Sequence, residues 1–150
     1  MNPGTLDIQL VDMKTRHTST FPGSSGFFAP RWSPDGRYLS AQTVGSKKIM
    51  LYVFQSQAWS EWLTEPGDVD YPYWSSDSRY MYYTQITTDN PRCRRVKLGD
   101  HNPEDLFSLN GLRRYFGIWG SWSGQAPDDS RLFVRDMSTQ DIYALDVDFP

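Results

Sequence analysis

The chain has a single cysteine, Cys93, so no disulfide can form within it and its redox compartment stays open. Two histidines, His17 and His101, stand in no zinc-ligand spacing, and no EF-hand pattern occurs. They read as surface-loop residues. No apolar run approaches the roughly twenty residues that span a bilayer, so no membrane insertion is expected. The opening residues Met1-Asn2-Pro3-Gly4 have no basic region followed by an apolar core, so they do not read as a secretory leader, and cytoplasm and periplasm both stay open. A net charge of -3 without a basic stripe argues against a nucleic-acid surface. The one basic run, Arg92-Cys93-Arg94-Arg95-Val96-Lys97, reads as a strand with charged residues on its solvent face. No glycine-rich loop leads into a helix, and Gly120-Ser121-Trp122-Ser123-Gly124 has tryptophan where a nucleophile elbow needs serine. We therefore expect no catalytic set, no metal and no cofactor. The pairs Asp68/Asp70, Asp128/Asp129 and Asp146/Asp148 read as turn caps, with calcium binding the weaker alternative.

Aromatic residues are abundant, at 15% of the chain, and with eleven glycines and ten prolines they suit short strands joined by tight turns. The ordering principle is a repeat. Phe28-Ala29-Pro30-Arg31-Trp32-Ser33-Pro34-Asp35-Gly36-Arg37-Tyr38-Leu39 returns as Tyr71-Pro72-Tyr73-Trp74-Ser75-Ser76-Asp77-Ser78-Arg79-Tyr80-Met81, and its second half returns as Ala126-Pro127-Asp128-Asp129-Ser130-Arg131-Leu132-Phe133. Arg37 and Arg79 lie 42 residues apart and Arg79 and Arg131 lie 52 apart, against the roughly 40–45 of a four-stranded propeller blade.

In this turn Pro34 presets φ, Asp35 accepts backbone amides and Gly36 takes a positive φ. Ser78 and Ser130 stand at the Gly36 position, which predicts strain or another turn type. Trp32 and Trp74 are expected to bury their rings between blades, and Arg37, Arg79 and Arg131 to pair with carboxylates or cover rings. The repeat-turn residues Trp32, Asp35, Gly36, Arg37, Trp74, Asp77, Arg79, Asp129 and Arg131 are thus structural, since they recur once per unit.

Alternation of apolar residues gives an all-β chain of two, four, four and three strands: a half blade over 6–22, blades over 27–64 and 70–109, and a last blade over 112–147. The last contains an insertion, 112–124, that accounts for the longer interval. Because loops on a rigid scaffold carry binding sites, its Arg113, Arg114, Tyr115, Trp119 and Trp122 are the candidate binding residues. An elongated inner strand is the competing reading.

Trp32-Ser33-Pro34-Asp35-Gly36-Arg37 resembles the WD40-like propeller repeat of the TolB type; Trp74 to Arg79 matches it at Trp, Ser, Asp and Arg, and 127–131 loosely. The resemblance implies a partial β-propeller of about three blades. The ending from Trp122 is similar to the C-terminal propeller of large bacterial regulators that begin with winged-helix or Ser/Thr kinase domains, where the propeller senses or binds. It implies a non-enzymatic interaction module with a protein or peptide partner. A propeller fragment of a prolyl-oligopeptidase-like peptidase and a periplasmic TolB-like scaffold are the alternatives. Three blades cannot close, so the open edges predict a longer propeller or self-association.

Overall fold

The computed structural model describes residues 6–86, 89–118 and 120–139. Among them there is no helix, and so none long and apolar enough to cross a membrane. Among the described residues, twelve short strands form four antiparallel sheets. A hairpin of β1 (Gln9–Val11) and β2 (Thr18–Thr20) comes first. Blade 1 follows as β3 (Phe27–Trp32), β4 (Tyr38–Thr43), β5 (Lys48–Val53) and β6 (Ala58–Thr64), paired in chain order. Blade 2 repeats it with β7 (Val69–Trp74), β8 (Tyr80–Gln85), β9 (Arg92–Lys97) and β10 (Glu104–Ser108). The last blade shows β11 (Ser123–Gln125) and β12 (Arg131–Phe133), whereas the third strand read at 142–147 lies outside the described residues.

The period of two along each strand decides which sheets stack. Leu39 and Ala41 of β4 point back onto Ile8 and Phe21 of the hairpin region, with Tyr52 beside them. Ile49 and Leu51 of β5 point forward, with Trp62 and Leu63, onto Val69, Trp74, Met81 and Tyr83 of blade 2. Blade 1 thus buries one face against the hairpin region before it and the other against blade 2. The arginines of the basic run are drawn into ion pairs, Arg92 with Asp105 and Arg95 with Glu104, while Cys93 and Val96 of the same strand are buried.

The first two repeat turns are superimposable in their bonding. Ser33 N donates to Tyr38 O at 2.9 Å, and Ser33 Oγ donates to Asp35 Oδ1 at 2.7 Å. Asp35 also accepts the Arg37 amide and its Nε. Ser75, Asp77 and Arg79 repeat each bond. The serine hydroxyl, then the arginine amide, hold Asp35 and Asp77 down at about 2.

The third turn corrects the expected alignment. Ala126 N bonds Ser130 O, a turn one residue shorter, so Asp128 takes the place of Asp35 and caps Ser130 N at 3.0 Å. Asp129, at φ 64, occupies the place of Gly36 rather than that of Asp35, and Ser130 does not stand there. Arg131 makes no carboxylate pair among the described residues; it enters β12 and lies 5.4 Å from the Tyr73 ring centroid.

The same geometry explains why glycine is absent from the later turns. Ser78, at φ 60, accepts the Asp35 amide through Oγ at 3.1 Å, and Asp129 accepts Ser76 N at 3.0 Å and Ser76 Oγ at 3.1 Å. A side chain at this position ties each turn back to the one before it, which offsets the cost of the left-handed backbone.

Burial of Trp32 is the second correction. Trp74 is 7% exposed, stacked on Trp62 at 5.2 Å and Tyr38 at 6.0 Å, with Nε1 donating to Arg31 O at 3.0 Å. Trp32 stays 49% exposed and stacks only on Phe54 of its own blade, at 5.0 Å. Two strands stand ahead of it where four stand ahead of Trp74.

Candidate functional site

The interruption of the repeat is a split inner strand. Tyr115 N donates to Val134 O and Asp136 N to Arg113 O, both at 2.9 Å, with Arg114 opposite Arg135. Backbone groups of successive strand residues point to opposite sides, so Val134 and Asp136 face the same side as Ser130, whose carbonyl bonds Ala126. Residues 113–115 therefore continue the inner-strand position of β11. Between the two halves, 116–118 and 120–122 stand outside the sheet, with paired Gly117 and Gly120 bonds of 3.0 Å. Gly120, at φ 85, supplies the left-handed residue of this turn.

The expected insertion thus divides. Arg113 sits with Nε 3.3 Å from Asp136 Oδ2 and stiffens the base. Arg114 donates to Ser121 Oγ at 3.2 Å across the excursion, and its guanidinium lies 5.2 Å from the Phe116 ring centroid. Tyr115 is exposed. Trp122 is half-exposed and folds over Gly124, where a Cβ would stand 2.5 Å from the indole ring, so this glycine is required by the close approach. Trp119 lies outside the described residues. Sequence reasoning missed Phe116 and Ile118, which are 61% and 97% exposed on the excursion. Their signal was available: two large apolar residues beside a Gly-x-x-Gly turn have no strand face to occupy.

Below the excursion stands Asp70, at the start of β7 and next to Tyr71, whose φ of 44 accompanies a bulge in the strand. Ala29, at φ 48, marks the same bulge in β3, and a proline without an amide follows each residue. The Asp70 Oδ2 atom is buried without a hydrogen-bond partner, 3.7 Å from where a Gly120 Cβ would lie. Burial pushes its carboxyl up to about 6, against the lowering effects of the Tyr71 amide and the Arg114 charge. Because the folded value exceeds the unfolded one, the protonated form is favoured by folding. The contribution of Asp70 to stability should be most favourable below the ordinary carboxylate range, decline as pH rises toward about 6, and level off above it. Asp70→Asn is expected to flatten that decline and raise the thermal midpoint at neutral pH, as read from melting curves between pH 4 and 8.

A second group joins the blades. Tyr73 donates to Ser123 O at 2.7 Å, and its ring takes Arg31 of blade 1 at 5.6 Å as well as Arg131 of the last blade. The Arg131 Nη2 donates to Ser123 Oγ at 3.3 Å, while its Nε and Nη1 are buried without hydrogen-bond partners. Beside it Cys93 is fully buried, and burial pushes its thiol up, which keeps it protonated and inert.

No family model matches the sequence, and no curated protein does. Solved structures do match. TolB from Acinetobacter baumannii aligns with 91% of this chain and 39% of its own at 19% identity, TM-score 0.62. A putative TolB from Agrobacterium tumefaciens aligns with 89% of this chain and 51% of its own at 17% identity, TM-score 0.64. The β-propeller domain of the trilobed protease from Pyrococcus furiosus aligns with 86% and 49% at 11% identity, TM-score 0.54. The chain spans about two fifths to one half of these structures, and its fold is a partial TolB-like β-propeller.

Proposed function

We propose that this chain is a non-enzymatic interaction scaffold that binds a protein or peptide through the 116–122 excursion. The observation that carries this reading is the set of large apolar side chains, Tyr115, Phe116, Ile118 and Trp122, exposed on a segment braced by Arg113, Arg114 and Ser121. Such patches on a rigid frame mark interaction sites, with aromatic and arginine residues as the usual anchors. An open cavity of about 490 Å³, lined by Arg114, Tyr115, Phe116 and residues 134–138, lies beside it. A sensory role at the end of a larger regulator fits the same surface. A photo-crosslinking residue at Ile118 should capture a partner, and the Phe116→Asp variant carrying the same crosslinker should lose it. Equal capture by both would count against the site.

A propeller that gates a peptidase is the second reading, favoured by the similarity to the propeller domain of a trilobed protease. Hydrolysis of peptide or ester substrates by the purified chain above a buffer control would overturn the non-enzymatic reading.

A further inference from the structure

We propose that the junction between blade 2 and the last blade holds a site for an indole, the side chain of a tryptophan supplied by a partner, where the repeat's own tryptophan is missing. The strand register fixes that place. Trp32 pairs with Leu39 and Trp74 with Met81, and in the last blade Gln125 pairs with Arg131. Gln125 therefore stands where the two earlier blades carry tryptophan.

What the indole does there is visible one junction earlier. Trp74 fills the space between blades 1 and 2: its ring stacks on Tyr38 and Trp62, and its Nε1 donates to Arg31 O at 3.0 Å. At the next junction the side chain is a glutamine, and an open cavity of about 290 Å³ lies beside it, lined by Tyr73, Trp74, Ser76, Gln125, Pro127 and Asp129. Tyr73 precedes Trp74 as Arg31 precedes Trp32, so it is the counterpart of the residue that receives the Trp74 indole. The cavity thus adjoins the inner-strand position against which a ring would seat. Its volume is at the lower end of ligand pockets, which suits one side chain rather than a larger molecule.

The polar atoms select the kind of ring. Gln125 Nε2 donates to Asp129 Oδ1, and Asp129 is itself held by Ser76 N at 3.0 Å and Ser76 Oγ at 3.1 Å. That carboxylate fixes which way the amide faces, so the atom left over is Oε1, which is buried without a hydrogen-bond partner. A buried acceptor without a donor is costly, and an occupant that brings an N–H recovers the loss. Indole joins a flat apolar body to one N–H donor. Trp122 does not supply it, because its ring lies over Gly124, and neighbouring residues of a strand face opposite sides. The cavity stands at the turn end of β11 and the 116–122 excursion at its other end, so the two sites are independent.

The test is a titration of the full chain with N-acetyltryptophanamide, followed by nitrogen-15 nuclear magnetic resonance. Saturable shifts are expected at Gln125, Ala126 and Asp129. The benzofuran analogue, which has the same shape with oxygen in place of the N–H, should bind about tenfold more weakly, since it leaves the acceptor unpaired. Gln125→Leu should erase that preference. Gln125→Trp should occupy the cavity from within, abolish the shifts and raise the thermal midpoint. Absence of saturable shifts, equal binding of the two ligands by the parent, or binding that survives Gln125→Trp would each overturn the proposal.

Discussion

Glu65→Ala is expected to lower the stability of the chain by about 3–5 kcal/mol, the cost of leaving a buried charge without its partner. Glu65 lies in the connection between blades 1 and 2, and its side chain is almost wholly buried. It accepts Arg94 Nη1 at 2.6 and 2.7 Å, Gln85 Nε2 at 2.8 Å and the Tyr83 hydroxyl. Burial first, then this bond, pushes the Tyr83 phenol up, so the hydroxyl remains a donor. Arg94 Nε lies 2.7 Å from Asp105 Oδ1 but off the N–H axis, so that contact is an ion pair without a hydrogen bond. Alanine strands the guanidinium, the amide and the phenol together. Glu65→Gln keeps an acceptor and should cost less. A Glu65→Leu, Arg94→Met double variant should recover much of the loss, because apolar replacement of a whole buried pair is often neutral. Urea unfolding midpoints at constant slope read all three. A midpoint for Glu65→Ala within error of the parent would refute the assignment.

The sequence announced the blades because period-two alternation and a recurrent Trp-Ser-x-Asp corner are local signals: β4, β5 and β8 needed no information from elsewhere in the chain. It also announced where the repeat breaks. Glu65 was invisible because its partners, Tyr83, Gln85 and Arg94, lie 18 to 29 residues away on two other strands. Asp129 was misaligned because the one-residue deletion in the third turn shows only in the Ala126–Ser130 bond. The insertion was read whole, whereas pairing across to Val134 and Asp136 returned 113–115 to the sheet and left Phe116, Ile118 and Trp122 as the exposed part. Residue type marked Arg113 and Arg114 for binding, and their contacts with Asp136 and Ser121 were not legible in the sequence.

Trp32 and Trp74 occupy the same position in successive repeats, and their truncation should separate packing supplied by a neighbouring blade from packing within one blade. Trp74→Ala removes two ring stacks and a bond to Arg31 O from a nearly closed site, and is expected to cost about 3–5 kcal/mol. Trp32→Ala removes one stack on Phe54 from a half-exposed site, which in a single chain is worth about 0.5–1.5 kcal/mol. Denaturant titration of both variants at low protein concentration measures the difference. Equal losses there would mean that Trp32 is covered within one chain, contrary to its exposure.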